Sequence, residues 1–384
     1  VVKILQAITS VDPASGGPIA AIEQLSLAHC AWGHTVEVAC LDDPHAPWVA
    51  ASPLKVHALG PGRTSYAFSS RYGPWLREHA RRFDCIVVNG LWQYTGFGVW
   101  LHRASVPYFV FPHGMLDPYF KRAFPLKHLK KWLYWPWAEY RVLRDARAVL
   151  FTAQAEKLLA RESFWLYRCC EAVTSLGTAP PPGDSRAQKA LFFERFPGLV
   201  GRRLVLFLGR LHPKKGCDLL IEAFARVASS DPSLALVMAG PDQVGWQVTL
   251  VALAERFGIA GRVHWTGMLS GDLKWGALHA AEVFALPSHQ ENFGVAVAEA
   301  LACGLPVLLS DRVNIWREIA ADGAGLVAAD SLSGTIGLLE QWQALSPAER
   351  RFKAECASQC FAGRFEIARA AQDFLNVLES NGIG

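Results

Sequence analysis

No stretch of this sequence reaches the ~18 consecutive apolar residues that a membrane-crossing helix requires, although 51% of its 384 residues are hydrophobic. Charge is sparse in both signs. Charged residues make up 19% of the chain and the formal net charge is +4, too small by itself to imply a nucleic-acid partner. The opening run, residues 1–8, reads as a strand with one lysine, so no leader peptide is expected. Paired cysteine is missing as well. None of the nine cysteines forms a C-x-x-C pair, and Cys169-Cys170 and Cys356-x3-Cys360 lack a second pair at zinc spacing. Cys40, Cys85 and Cys303 lie in apolar runs, where a free thiol behaves as a small hydrophobe. A reduced, cytoplasmic protein is expected. The G-x-x-x-x-G-K-[ST] phosphate loop and the G-x-G-x-x-G dinucleotide fingerprint are absent, as are serine-hydrolase and metallohydrolase signatures.

What is present is alternation. Strand-like runs at 2–8, 35–41, 84–90, 107–112 and 146–152 are interleaved with helical periodicity, as at 19–32 and 132–143. The second half repeats the scheme at 203–209, 234–240, 262–267, 283–288, 305–310 and 325–328. Short apolar strands separated by helices predict parallel sheets covered on both faces. Between the halves, Leu176-GTAPPPGDS-Ser185 can continue neither a helix nor a central strand. The fold class read from this is α/β, with two doubly wound Rossmann-like domains at 1–178 and 179–364. A terminal amphipathic helix, about 365–384, is expected to cross back to the first domain. Sheets of this kind bind ligands at the carboxyl ends of their strands.

One such end holds a puzzle. Between Val295 and Ala302 the single polar side chain is Glu299, and Glu291 precedes it by eight positions. An ionised carboxylate packed among valine, alanine and leucine costs roughly several kcal/mol unless it is paired or hydrogen-bonded. Glu291-NFG reads as the loop beyond a strand, and 295–302 as the helix that follows. Asn292, Phe293 and Gly294 can then offer N–H groups at a helix N-terminus, which favours polar or anionic ligand atoms. Glu299, two turns further in, could accept bonds from a vicinal diol such as a ribose. A surface glutamate, plus a helix glutamate paired with a neighbouring arginine, fits the spacing equally.

A second constellation is Gly209-RLHPKKG-Gly216, a strand-to-helix turn with Arg210 at the strand end and Lys214 and Lys215 crowding it. Gly216 permits close backbone approach, and cations beside a helix N-terminus make a diphosphate cradle that needs no metal. A basic turn of this kind is also often only a solvated loop.

Taken together, the two patterns resemble the GT-B glycosyltransferases, in particular the large retaining family 4. The hallmarks are E-x7-E, Glu291 to Glu299, and an R…KG turn, Arg210 with Lys215-Gly216. The glycine-rich first loop Ser15-GGP-Pro18, the element Pro112-HG-Gly114 and the terminal helix extend the likeness over nearly the whole chain. The resemblance implies that Arg210 and Lys215 hold a nucleotide diphosphate and Glu299 takes the ribose hydroxyls. Glu291 would meet the donor sugar together with Asn292 and the amides of Phe293 and Gly294. His113 would lie on the facing domain near that sugar, Gly16 and Gly17 would close on the phosphates, and Lys274, in Gly267-MLSGDLK, would border the base. Taken alone, His113 reads rather as a buried histidine satisfied by a backbone carbonyl, and Gly16-Gly17 as a turn before a helix. With no D-x-D triad in the chain, a metal-bridged diphosphate is not expected, and neither is another cofactor.

The implied activity is transfer of a hexose from a GDP- or UDP-sugar to a saccharide acceptor, lipid-linked, with retention at the anomeric carbon, in polysaccharide biosynthesis. A GT-B epimerase, a glycosyl phosphorylase and a non-catalytic nucleotide-sugar-binding protein remain as alternatives. The basic, aromatic stretch 121–141 predicts docking on an anionic membrane surface, so the protein is expected in the cytoplasm and peripherally on the inner face of the membrane. The alternative is a first-domain helix whose aromatics pack inward.

Overall fold

Runs such as KILQA at Lys3–Ala7 and LALVMA at Leu234–Ala239 are buried along almost their whole length. A strand without a polar face is stable only in a sheet covered on both sides. The computed structural model describes residues 1–13 and 17–384 and contains two such sheets. The first comprises β1 (Lys3–Ala7), β2 (Thr35–Cys40), β3 (Lys55–Ala58), β4 (Cys85–Asn89), β5 (Tyr108–Phe111), β6 (Ala148–Phe151) and β7 (Glu171–Val173), in the order β3-β2-β1-β4-β5-β6-β7. The second comprises β8 (Arg203–Leu208), β9 (Leu234–Ala239), β10 (Val263–Gly267), β11 (Val283–Leu286), β12 (Val307–Ser310) and β13 (Gly325–Ala328), in the order β10-β9-β8-β11-β12-β13. Every strand pairing in both sheets is parallel. In each sheet the order reverses beside the first strand, between β1 and β4 and between β8 and β11. Those are the switch points at which open parallel sheets take ligands.

The chain forms two compact units, Val1–Gly177 with Ile367–Gly384, and Thr178–Glu366. The terminal helix Ile367–Ser380 therefore belongs to the first unit. It packs on the helix Gly17–Ala31, where Ala371 O lies 3.0 Å from Nε2 of the buried His29 and the Phe374 ring lies 5.3 Å from the His29 ring. Residues 365 and 366 go with the second unit: the Thr178 N–H donates to Phe365 O at 2.9 Å, and the Phe365 ring meets Phe293 at 5.7 Å.

Three local expectations are corrected. Residues 132–143 are not one helix. A helix Pro125–Tyr134 ends, and a second begins at Glu139 and runs to Arg144. Pro136 removes a donor between them and Ala138 leaves helical backbone at φ −127°, ψ −77°. Strands β3 and β7 escaped the sequence because they lie at or near a sheet edge and carry Lys55, His57 and Glu171 instead of an apolar run. The terminal helix starts at Ile367 and not at 365, after a wide turn at Phe361–Phe365.

Candidate active site

In the second unit the carboxyl ends of β8, β9 and β11 converge because three backbone segments touch. Gly216 adopts φ +65° against the loop beyond β11, and a Cβ there would stand 2.1 Å from Pro287 O. Gly240 adopts φ +148° with its Cβ direction 1.8 Å from Gly209 O. Both positions require glycine. The His289 N–H donates to Lys214 O at 2.9 Å, tying the β8 turn to the β11 loop. Within that turn His212 caps a single 3₁₀ turn, Pro213–Lys215, by accepting the Lys214 N–H at Nδ1. Gly216 is the N-cap of the helix Cys217–Ala228.

The charged groups follow from this frame. Arg210 is exposed at the strand end and donates from Nη1 to Gln243 Oε1 at 3.3 Å. Lys215 is drawn inward, and its Nζ is in contact with Glu291 Oε2. Burial, with Lys214 and Arg210 close by, pushes the Lys215 ammonium down to about 7, while the Glu291 carboxylate works to keep it charged. His212 is likewise held below its usual range, first by burial and then by Arg210, Lys214 and Lys215.

Glu291 is fixed on the other side by its backbone. Its N–H donates to Arg312 O and its carbonyl accepts from the Asn314 N–H, both at 3.0 Å. Asn314 Nδ2 donates to Asn292 Oδ1 at 3.3 Å, Phe293 is buried, and Gly294, at φ +74°, caps the helix Val295–Ala302. Glu299, 8% exposed, sits on that helix about 6 Å along its axis from Val295. Its partner is Lys274, on the helix Gly271–Ala280, at 2.7 Å. The glutamate in the apolar run is thus paired by a lysine, not by an arginine. Arg210, Lys215, Glu291, Asn292, Phe293 and Gly294 share one end of the sheet, and Glu299 with Lys274 forms a second ion pair on the adjoining helices.

In the first unit, Gly16 lies outside the described residues and Gly17 opens the helix Gly17–Ala31. His113 stands beyond β5 with φ +50°. Its Nε2 is 3.0 Å from Asn89 Oδ1, while Asn89 Nδ2 donates to Gln6 Oε1 and Val87 O. The histidine therefore donates from Nε2 and leaves Nδ1 as an acceptor. The Phe111 ring stacks on it at 5.2 Å, and burial pushes His113 down to about 4.

Three anchoring residues went unnoticed in the sequence. Asn89 orients His113. Glu156 accepts the Gly114 N–H at 2.6 Å and two further bonds from the Thr152 N–H and hydroxyl at 2.6 and 2.8 Å. Glu139 accepts the N–H of Trp92, a residue at φ +71° beyond β4. The signal was available for Glu139, the first acid after a run of aromatic and basic residues, and for Glu156, four residues after a threonine that ends a strand. Among the described residues no cluster of three His, Cys, Asp or Glu side chains could hold a metal ion.

Two family models match this chain: glycosyl transferases group 1 over residues 192–346, and the glycosyl transferase 4-like domain over residues 16–168. Each half of the chain is thus similar to a glycosyltransferase family, and the pair of parallel sheets is the GT-B fold. The D-inositol 3-phosphate glycosyltransferase of Segniliparus rotundus is 32% identical over 207 residues, which is 50% of this chain and 42% of that protein, so the match spans less than half of the relative's length. Sucrose-phosphate synthase from Thermosynechococcus elongatus shares the fold at TM-score 0.76 and 21% identity, over 98% of both chains. Anabaena HepE, solved in complex with UDP and glucose, shares it at TM-score 0.78 and 17% identity, over 99% of this chain and 100% of that one.

Proposed function

We propose that this GT-B glycosyltransferase moves a hexose from a nucleotide diphosphate sugar to a saccharide acceptor with retention at the anomeric carbon. The observation that carries the reading is the meeting of Arg210, Lys214 and Lys215 with Glu291 beside the N-termini of two helices at the switch point of the second sheet. A diphosphate there would replace the Glu291 carboxylate as the counter-charge of Lys215, with Arg210 as its second cation. Glu291, released, would accept hydroxyls of the sugar, and Glu299, held by Lys274, would accept the two ribose hydroxyls. His113, neutral and fixed by Asn89, offers Nδ1 to a donor-sugar hydroxyl.

In the proposed step the acceptor oxygen bonds to the anomeric carbon as the bond from that carbon to the diphosphate oxygen breaks. The departing diphosphate takes the acceptor proton, on the same face of the sugar. Arg210 and Lys215 lower the barrier because they are already aimed at the oxygen on which negative charge grows. Their charge serves in place of a metal, so neither a metal nor another cofactor is required.

The acceptor we propose is a lipid-linked saccharide destined for polysaccharide. The basic, aromatic segment 121–141 would bring the first unit to an anionic membrane surface, as a peripheral protein on the cytoplasmic side. Among the described residues no helix is long and apolar enough to cross a membrane.

The test has two stages. Nucleoside diphosphates and their sugars are first screened by thermal shift, because a ligand of the folded state raises the unfolding midpoint. The donor so found is then incubated with candidate acceptors, with and without EDTA, and the anomeric configuration of the product is read by NMR. Transfer with retention and with EDTA tolerated is expected. Donor conversion without acceptor would point to an epimerase, phosphate-dependent cleavage to a phosphorylase, and binding without turnover to a sensor.

A further inference from the structure

The helices Tyr119–Ala123 and Pro125–Tyr134 contain no buried residue, which is unusual for a segment this apolar. Leu126 is 79% exposed, and Leu129, Trp132 and Leu133 are also at the surface. Opposite them Trp165 is 67% exposed. Between helix Pro125–Tyr134 and residues 163–165 runs a groove of about 510 Å³. Trp132 and Trp165 form its rims, with ring centroids 6.2 Å apart, and Leu129 lines it beside them. Its floor is Phe164, which is buried and stacked on Trp135 at 4.2 Å and on His128 at 4.8 Å. Lys121 is the charged residue of the lining, which holds no carboxylate. Arg122, Lys127 and Lys130 stand exposed nearby, and no acidic residue occurs from 118 to 138.

We propose that this groove receives one acyl chain of an anionic phospholipid drawn from the bilayer, with the lipid phosphate taken by Lys121. The inference rests on the membrane-docking reading above and goes beyond it, because it assigns a discrete cavity and not a general surface. Charge decides the class of partner: a broad apolar face flanked by Lys121, Arg122, Lys127 and Lys130, with no carboxylate in the groove lining, complements anionic headgroups. Lysine and arginine stems with tryptophan suit the boundary between headgroup and chain. The volume of the groove decides the rest, since a flat interfacial helix needs no cavity of about 510 Å³ with a stacked aromatic floor.

The protein is labelled with 5-fluorotryptophan, and the Trp132 and Trp165 signals are assigned from W132F and W165F. It is titrated with decyl phosphate below its aggregation threshold, with inorganic phosphate and decyltrimethylammonium as controls. In parallel it is sedimented with phosphatidylcholine vesicles with and without phosphatidylglycerol. Decyl phosphate is expected to shift Trp132 and Trp165 above the other tryptophans, inorganic phosphate to shift neither, and K121E to weaken decyl phosphate by about tenfold or more. The exposed variant L126D should lose vesicle binding yet keep the decyl phosphate response. Sedimentation with anionic vesicles but no selective shift of the two rim signals would overturn the groove while leaving membrane docking intact. Selective shifts without sedimentation would remove the bilayer as the source, and equal shifts from the cationic amphiphile would remove the assigned headgroup; either outcome overturns the proposal.

Discussion

Glu139 and Glu156 do the same work at neighbouring strands of the first unit. Each is buried on a helix, and each accepts the backbone N–H of a loop residue just past a strand: Trp92 after β4 at 2.7 Å and Gly114 after β5 at 2.6 Å. In each loop a bulky residue stands in the left-handed region, Trp92 itself and His113. That conformation costs on the order of 1–3 kcal/mol and persists only where surrounding contacts fix it. The two carboxyl groups are those contacts, and they differ in one respect. Both oxygens of Glu156 are bonded, whereas Glu139 Oε2 is buried without a hydrogen-bond partner.

The difference predicts a pH effect. Burial pushes Glu139 up to about 8, against the lowering influence of the Trp92 N–H and of Lys131. Because the folded state binds the proton more tightly than the unfolded chain, stability is full below the usual carboxylate range and is lost as pH rises toward 8. In urea unfolding from pH 5 to 8, the stability of the wild type relative to E139Q should decline by a few kcal/mol as pH rises. Parallel curves for the two proteins would show that this carboxyl does not titrate in the window.

His113 predicts the opposite limb. Its proton affinity is depressed to about 4 in the folded state, so the unfolded chain takes up the proton first and stability falls as pH drops from 6.5 to 4. The loss is at most about 3 kcal/mol. H113N, which tolerates the left-handed backbone, should flatten that acid limb. It should also lower kcat by weakening the hold on the donor sugar, with free nucleotide binding unchanged.

For the cationic turn, R210A and K215A should each reduce kcat/KM by about 10²-fold and weaken nucleoside diphosphate binding while circular dichroism stays unchanged. K215A carries a further signature. It leaves Glu291 without its ion-pair partner, so E291Q added to K215A should recover part of the diphosphate affinity. Full activity in both single variants would dismiss the cradle.

The two glutamates should separate by ligand. E299Q should weaken every nucleotide carrying the same ribose, sugar or none, as measured by calorimetry. E291Q should leave free nucleoside diphosphate unharmed, or tighten it by freeing Lys215, and should harm the intact donor. Equal losses on free nucleotide would refute the division of roles.

The fold was legible because buried strands such as β8 and β9 are apolar along their length, and because Gly216 and Gly294 mark turns by their own backbone chemistry. The E-x7-E spacing also declared itself, since a carboxylate in an apolar helix demands a partner. What stayed hidden was pairing across the chain. Lys274 reaches Glu299 from another helix, and Lys215 reaches Glu291 from a loop 76 residues away, contacts that no local pattern encodes. Glu139 and Glu156 were marked only in part: an acid after a basic, aromatic run and an acid four residues after a strand-ending threonine stand out, but the backbone N–H groups of Trp92 and Gly114 that they accept from leave no mark in a sequence.

The helix Ile367–Ser380 completes the first unit although it is synthesised after the whole of the second. On the ribosome, residues 178–366 can therefore close into a finished second unit while the first still waits for its cover. Until Ala371 and Phe374 emerge, His29 on the helix Gly17–Ala31 lacks the carbonyl and the ring that the terminal helix brings to it. A chain stopped short of residue 367 would thus keep an intact second unit attached to an incomplete, sticky first one. Such a product would still carry the Lys215–Glu291 pair intact, beside a first unit with exposed apolar surface.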